Sequence, residues 1–435
     1  MVGCSMLDRL RGVMSAEGTG WPVLIMLIAT VGGGACNFLY QVLMQNLAAT
    51  ELSEINTLLA ILAIFAVPST AINNVLVRYT AKYNAQGRDG CIAWLMRHTL
   101  LLSIGLGAVS AIAIVAVLNI PGVYRSLNLT SPAAIAVMGI GVLLSLVLPI
   151  GHGPLQGLQR FTAYGISYGG NFLLKLLIGV GLVALGLGVV GAVGGVVVGI
   201  TFAVAFSMFA MRKHLRLKGE RGETSEIWRF TIPTTVAAMA FTTLTNVDVI
   251  LAALLMEKDP ANIYTSATKL ASIILFLPSA IASVMFPKIA KLHAQRRDTW
   301  KMLRTSIRNT ILLSGVAALA FLLFPDVILN ILVPNNPYLP EIAPVLQVLA
   351  VAMALFGLAN VFMLYGLATD GHAYVGILLL AVVVQIALVG GISATGMLFT
   401  PQLLAKAMAI TGVFAIALSS LYLFVMDREH RHLDR

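Results

Sequence analysis

The ionisable side chains of Lys175, Asp248 and Lys269 lie inside long apolar stretches of the sequence. A charge within a membrane-spanning helix is costly, so each of them is a candidate for a role in function. The lysines would attract an anionic group, and Asp248 would orient a lysine or bind a cation. The alternative is structural, with Asp248 and Lys269 forming an ion pair between neighbouring helices. No acidic residue of the first half lies at the depth of Lys175, which is therefore expected to face a cavity.

Two segments carry polar side chains at helical spacing, so that each set forms one stripe along a helix. Stripes facing lipid would be unfavourable, so both should face protein or water. They would either form a hydrophilic wall or bond to neighbouring helices, and we favour the wall because the two segments are equivalent in an internal repeat. The stripes are Thr30, Asn37, Gln41 and Gln45, and Thr231, Thr235, Thr242 and Asn246, with Asn73 and Asn74 extending the wall.

Basic side chains follow two of the apolar segments. Arg78 and Lys82 come after the second segment, and Arg160 comes after the fourth. They would either bind a phosphate of a ligand at the cytoplasmic mouth or anchor the protein to anionic lipid headgroups. Anchoring is the usual role of basic residues in inner loops.

The elements that position these residues are membrane helices. The 435 residues are 59% hydrophobic and only 11% charged, with a mean hydropathy of +0.92. A chain with so little charge cannot cover a water-facing surface, and helices satisfy their own backbone hydrogen bonds in lipid. The fold class is therefore an all-α integral membrane protein of about twelve transmembrane helices. The expected spans are 21–46, 54–77, 98–119, 133–152, 164–186, 191–211, 230–256, 263–286, 308–332, 342–366, 373–394 and 402–426.

The distribution of positive charge predicts the orientation. With both termini in the cytoplasm, 23 of the 28 lysines and arginines fall in inner segments or at the inner end of a span, and only Arg125 and Lys258 fall in outer loops. This bias predicts the orientation of a multi-pass protein, which we expect in the plasma membrane, and it accounts for the net charge of +10 without a nucleic-acid partner. Residues 1–20 would form a cytoplasmic amphipathic segment that contacts membrane lipids, and residues 427–435 a cytoplasmic tail.

An internal repeat divides the chain into two halves. Residues 81–89 and 290–298 share identical residues at a constant offset, and Gly157–Leu158 matches Gly366–Leu367 at the same offset. Because this period covers six spans, the halves would be two six-helix bundles related by a pseudo-two-fold axis along the membrane normal. The bundles would comprise residues 21–211 and 230–426, joined by a basic linker at 212–229. Gly191, Gly195 and Gly199 form a small-residue ridge that predicts close helix packing.

Four segments carry a family resemblance: PLQGLQRF (Pro154–Phe161), NVDVILAAL (Asn246–Leu254), the run Ile263–Leu292 and the run Leu76–Tyr83. In order and spacing they resemble the polysaccharide exporters of the multidrug/oligosaccharidyl-lipid/polysaccharide (MOP) superfamily. The resemblance implies two six-helix bundles around a cavity lined by spans one, two, seven and eight. It also implies a flippase that moves a polyprenyl-linked oligosaccharide from the inner to the outer leaflet by alternating access, without a cofactor.

The multidrug exporters of the same superfamily are the alternative. Their cation-coupled members typically carry carboxylates within a bundle, often in span one, whereas span one of this sequence contains no acid and Asp248 is the only deep carboxylate. A coupling ion, H⁺ or Na⁺, is compatible with both functions. A membrane glycosyltransferase would need positioned acids in sizeable outer loops, which are short in this sequence. No catalytic residues and no metal site are expected.

Overall fold

A computed structural model describes residues 20–44, 49–127, 129–333, 338–369, 371, 373–394 and 399–433. The expected amphipathic segment up to residue 19, and Gln45 of the first polar stripe, lie outside these residues. The described residues form eighteen α-helices and contain no strand. The all-α membrane fold class predicted from the sequence is therefore confirmed.

The helices follow one another with short connections. The first ten are α1 (Gly20–Met44), α2 (Ala49–Ile64), α3 (Ala66–Ala85), α4 (Asp89–Leu118), α5 (Pro121–Ser126), α6 (Pro132–Val147), α7 (Pro149–Gly157), α8 (Phe161–Leu182), α9 (Gly188–Ala210) and α10 (Arg212–Arg216). The others are α11 (Thr224–Leu255), α12 (Lys258–Ala271), α13 (Phe276–Ala294), α14 (Trp300–Leu323), α15 (Pro325–Leu332), α16 (Leu339–Ala368), α17 (Ala373–Ala394) and α18 (Pro401–Leu433).

Eleven helical stretches of the described chain are long and apolar enough to cross a membrane. One of them, Phe161–Ala210, holds two helices, α8 and α9, joined by a tight π-helical turn at Val183–Leu187. Gly186 and Gly188 adopt φ values of 86° and 46° in this turn, a conformation that favours glycine. The chain reverses there, because positions further along α9 contact positions further back on α8. Counting α8 and α9 separately gives the expected twelve spans.

The chain forms two compact units. The first comprises the described residues up to Thr235 together with Phe286–Arg297, and the second comprises Val236–Met285 and the described residues from Asp298 onward. The core of the first unit contains fully buried side chains such as Tyr40, Leu58 and Ile135. In the second unit α16 is buried on most of its faces, which explains why it is apolar almost all round.

Prolines follow breaks in the second and the eighth expected spans. Helix α2 ends at Ile64, four residues before Pro68, and a short 3₁₀ turn at Ser272–Leu275 precedes Pro278. Proline lacks an N–H group and its ring collides with the carbonyl four residues earlier, which lies at Ile64 and Ile274 in these two spans. Pro68 and Pro278 lie one residue away from exact correspondence in the repeat, and each follows a break in its span.

The ninth expected span ends earlier in the structure. The span at 308–332 is instead α14, which begins at Trp300 and ends at Leu323, followed by the separate short helix α15. Phe324 has a non-helical conformation, with φ −130° and ψ 46°. Pro325 disfavours a helical conformation in the residue before it and starts the next helix instead.

The repeat extends to the ends of α3 and α13. After α3, the amide of Gly87 donates to the carbonyl of Asn84 (3.2 Å), and Arg88 donates to Tyr83 (2.9 Å). After α13, Arg296 donates to His293 and Arg297 to Leu292, both at 2.9 Å. These are two Schellman caps at the same repeat offset. The left-handed position holds Gly87 in one cap (φ 69°) and Arg296 in the other (φ 54°).

The two caps predict opposite effects of exchanging the left-handed residue. Gly87→Ala is expected to destabilise the protein by about 1 kcal/mol, since a Cβ is unfavourable at this φ although open space surrounds it. Arg296→Gly is expected to stabilise it by about 0.5–1 kcal/mol for the same reason. Thermal unfolding of both variants in one detergent measures the shifts. Melting temperatures that move in the same direction would contradict this explanation.

Candidate functional site

Lys175 lies where α8 packs closely against α1. Glycines allow the approach: a Cβ at Gly165 would lie 3.0 Å from Ile25, and one at Gly179 would lie 2.8 Å from the Tyr40 ring. The Lys175 ammonium donates a hydrogen bond to Oδ1 of Asn37 (2.7 Å) and lies 4.4 Å from the centre of the Tyr40 ring. Lys175 is 8% exposed. The structure therefore brings together two residues predicted from the sequence.

The partners of Lys175 are neutral. An amide oxygen and an aromatic face stabilise a cation without cancelling its charge. Within the described ranges no carboxylate pairs with this ammonium. The Tyr40 hydroxyl is held by the carbonyl of Ala192 (2.8 Å), which fixes the ring under the cation. The Lys175 ammonium is therefore a positive charge that its neighbours hold in place without neutralising it, and it can attract an anionic group.

Asp248 is fully buried in the second unit. The Tyr264 hydroxyl of α12 donates to its Oδ2 atom (2.7 Å), and its Oδ1 atom has no hydrogen-bond partner. Lys269 is exposed and makes no ion pair with Asp248. Lys269 follows Tyr264 by five residues, which turns it by about 140° around the helix. The Asp248–Lys269 ion pair considered from the sequence is therefore absent, and tyrosine takes the place of lysine.

A second unpartnered acceptor lies near Asp248. Gln385 of α17 is completely buried, and its amide nitrogen contacts the carbonyl of Leu244 (3.4 Å), one helical turn before Asp248. The Gln385 nitrogen also contacts the Met408 sulfur (2.7 Å), while its Oε1 atom has no partner. Buried acceptors without donors are rare and unfavourable. Oδ1 of Asp248 and Oε1 of Gln385 could accept bonds from a proton, a water or a cation.

The two polar stripes bond mostly within their own helices. Thr30 donates to the carbonyl of Met26 (2.7 Å) and Asn246 to that of Thr242 (2.9 Å). Thr242 is half-buried, whereas Asn246 and Gln41 are exposed. Asn37 is the stripe residue that bonds to another helix, through Lys175. The expected wall stays a proposal, since the hydroxyls of Thr30, Thr231 and Thr235 already bond to carbonyls of their own helices.

A polar cluster connects α3 to α7. The Asn73 amide donates to Oε1 of Gln156 (3.2 Å), and both side chains are largely buried. Gly153 lets the helices touch, because a Cβ there would lie 2.5 Å from Leu76. Asn74 is buried beside this contact on α3. Asn73, one of the expected wall residues, thus lies in a helix interface, and Asn74 is buried next to it in the sequence.

Arg78 and Lys82 contact the beginning of α11 and the linker before it. The Arg78 guanidinium lies 4.1 Å from the centre of the Phe230 ring. Lys82 forms ion pairs with Glu223 (3.2 Å) and Glu226 (2.7 Å). Hydrogen bonds involving Glu226, then Lys82, lower the pKa of Glu223 below its usual value, so its ionised form is favoured. These contacts attach the linker to α3.

Sequence reasoning missed four functional candidates: Tyr40, Gln156, Tyr264 and Gln385. Gln385 had a usable signal, because it is a lone amide within the apolar segment 373–394. The two tyrosines had none, since a tyrosine in an apolar helix most often serves packing. Within the part of the chain that the structure describes, no three His, Cys, Asp or Glu side chains form a group that could hold a metal ion.

The fold is that of known membrane transporters. A point mutant of a MATE transporter matches with a TM-score of 0.77 at 14% identity, over 94% of this chain and 96% of that chain. An outward-facing multidrug resistance MATE transporter of the MOP superfamily matches with a TM-score of 0.75 at 13% identity, over 92% of this chain and 94% of that chain. A MOP superfamily transporter from Pyrococcus furiosus matches with a TM-score of 0.74 at 12% identity, over 93% of this chain and 96% of that chain. It is described as having a binding pocket of reverse polarity.

Sequence comparison gives the family. The family model described as "Polysaccharide biosynthesis protein" matches residues 95–336, which is more than half of the chain. No curated protein shows a significant match. The matched region includes both Lys175 and Asp248. The chain therefore belongs to the polysaccharide biosynthesis protein family and has the fold of the MOP superfamily transporters.

Proposed function

We propose that the protein is a flippase that moves a polyprenyl-linked oligosaccharide from the inner to the outer leaflet of the plasma membrane by alternating access. The buried Lys175 ammonium, whose partners Asn37 and Tyr40 are neutral, is the observation that carries this proposal. A lipid-linked oligosaccharide carries a diphosphate, and a cation in an apolar environment attracts an anion strongly. Membership of the polysaccharide biosynthesis family supports this substrate class.

Transport would be driven by the gradient of a coupling ion, H⁺ or Na⁺, that binds at Asp248. Its unpartnered Oδ1 atom and the unpartnered Oε1 atom of Gln385 are acceptors that such an ion would satisfy. Tyr264 would hold the carboxylate in place through the bond to Oδ2. Both termini would lie in the cytoplasm, as the distribution of positive charge predicts.

Transport in proteoliposomes tests the proposal. A fluorescent polyprenyl diphosphate oligosaccharide is incorporated, and protection of its sugar from an external glycosidase is followed with and without an H⁺ or Na⁺ gradient. Protein-dependent movement that an ion gradient accelerates, with the acceleration lost in Asp248→Asn, is the expected result. Movement no faster than in protein-free vesicles would contradict the proposal.

A cation-coupled multidrug exporter is the second candidate, and the buried Asp248 carboxylate favours it. The neighbouring MATE structures have the same fold, which is compatible with either function. The same vesicles separate the two: gradient-driven efflux of an aromatic organic cation that fails in Asp248→Asn, without movement of the oligosaccharide, would establish the exporter.

A further inference from the structure

An apolar groove lies within the first unit, between α4, α3 and the beginning of α11. Its volume is about 280 Å³. Helix α4 contributes residues from Trp94 to Leu106, so the groove follows this helix for roughly 18 Å. Ile72 and Val75 of α3 form a second wall, and the segment of α11 that includes Trp228 forms a third. This length and volume suit an extended chain.

The threonine hydroxyls that line the groove on α11 already have partners. The hydroxyls of Thr231 and Thr235 donate to the carbonyls of Ile227 and Thr231 in their own helix, at 2.8 Å each. His98 is stacked flat on the Trp94 ring, with the ring centres 5.1 Å apart. The remaining wall is largely aliphatic. A hydrocarbon chain would leave these threonine hydroxyls paired, whereas a sugar would find few partners among the largely aliphatic side chains.

One end of the groove carries tryptophan and positive charge. Trp94 and Trp228 line this end, and Trp228 is 57% exposed. Tryptophan prefers the boundary between hydrocarbon and headgroups. Arg97 and Arg229 lie close by in sequence and are exposed. Arg97 donates to the carbonyls of Leu215 and Leu217, so no carboxylate cancels its charge there.

The acidic residues of the linker are already paired. Glu223 and Glu226 bind Lys82, and Glu223 also binds Arg88 (3.3 Å). Glu220 lies 3.9 Å from Arg88. These three carboxylates therefore do not offset Arg97 and Arg229. The end of the groove that carries these arginines is therefore complementary to an anionic headgroup on a hydrocarbon chain.

We propose that this groove binds the isoprenoid chain of the lipid-linked substrate, with its diphosphate beside Arg229. This inference rests on the proposed function for the identity of the lipid. A polyprenyl diphosphate has one hydrocarbon chain, which matches the single groove. A phospholipid has two chains and would leave one of them outside the groove. The groove would hold the chain while the sugar head crosses the membrane.

Photo-crosslinking with a diazirine-bearing polyprenyl diphosphate in nanodiscs tests the groove. Label is expected on groove residues of α4 and α11, such as Leu102, Leu106 and Trp228. Excess unlabelled polyprenyl diphosphate should remove this label, and the same excess of phosphatidylglycerol should not. Equal competition by phosphatidylglycerol would show that the groove holds ordinary bilayer lipid and would overturn the proposal.

Matched substitutions sharpen the test. Leu102 lines the groove, whereas the neighbouring Leu101 does not, and both are at least half exposed, so either position accepts a larger side chain. Leu102→Trp is expected to lower labelling about tenfold and Leu101→Trp to leave it unchanged. Arg229→Glu should lower labelling by polyprenyl diphosphate but not by uncharged polyprenol. Labelling that Leu102→Trp leaves at the wild-type level would overturn the proposal.

Transport by the same variants separates this inference from the proposed function. If the wild-type protein moves the oligosaccharide and Leu102→Trp moves it equally fast, the groove proposal fails and the flippase stands. If labelling maps to the groove with the expected competition but no oligosaccharide moves, the groove stands and the flippase fails. If Leu102→Trp slows movement while Leu101→Trp does not, both are supported.

Discussion

Lys175→Met is expected to lower oligosaccharide transport by about 100-fold or more while raising the melting temperature of the protein. Lys175 is 8% exposed within a membrane helix, and its partners Asn37 and Tyr40 do not neutralise it. Methionine has a similar length and keeps the packing, but it removes the cost of burying a charge. We expect a gain in stability of about 1–3 kcal/mol.

The opposite directions of the two effects distinguish a functional charge from a structural one. A residue kept for binding typically reduces stability, so its removal stabilises the fold and abolishes activity. Transport is measured by glycosidase protection in proteoliposomes, and stability by thermal unfolding in detergent. Lys406→Met is the matched control, because Lys406 is an exposed lysine within a span. Lower stability with full transport in Lys175→Met would make Lys175 a structural residue.

Gly195→Ala is expected to destabilise the protein by about 2 kcal/mol or more, although it adds only one methyl group. A Cβ at Gly195 would lie 2.2 Å from the Cα of Gly179 and 3.0 Å from the carbonyl oxygen of Lys175. These are backbone atoms of the facing helix, so no side chain can rotate away to make room. The helices α8 and α9 would have to separate.

The adjacent glycine provides the control for this substitution. A Cβ at Gly194 would meet only the end of the Leu182 side chain, at 3.5 Å, which is an ordinary contact. Gly194→Ala is therefore expected to change stability by no more than roughly 0.5–1 kcal/mol, and in the stabilising direction, since alanine favours helix. Equal melting temperatures for the two variants would show that the helices are not in backbone contact. Because Gly195 touches the backbone at Lys175, Gly195→Ala should also reduce transport.

The ridge of glycines on α9 shows how much of a tertiary contact can be predicted from the sequence. The spacing of Gly191, Gly195 and Gly199 correctly predicted a helix contact. It did not predict the partner, which is the α8 surface that includes Gly179 and Asn171. A row of small residues indicates that another helix packs closely against it. Which helix does so depends on the packing of the whole unit.

The candidate site was predicted in part. Asn37 and Lys175 were both singled out, and they form one hydrogen bond although they lie far apart in the chain. Asp248 was singled out too, but the ion pair with Lys269, one of the alternatives considered for it, is absent. Its depth in the membrane follows from hydropathy alone, whereas its partner depends on the rotation of α12, which turns Tyr264 toward the carboxylate and leaves Lys269 exposed.

The sequence by itself determined the membrane class, the number of spans, the repeat and the family resemblance. These features depend on composition and on local patterns, because each span must be apolar over its whole length and each cap is made within a few residues. Only the tertiary structure decided the neutral surroundings of Lys175, the unpartnered oxygens of Asp248 and Gln385, and the groove along α4. Those features arise where helices distant in sequence meet, and the rotation and register of each helix are fixed by side-chain packing against its neighbours.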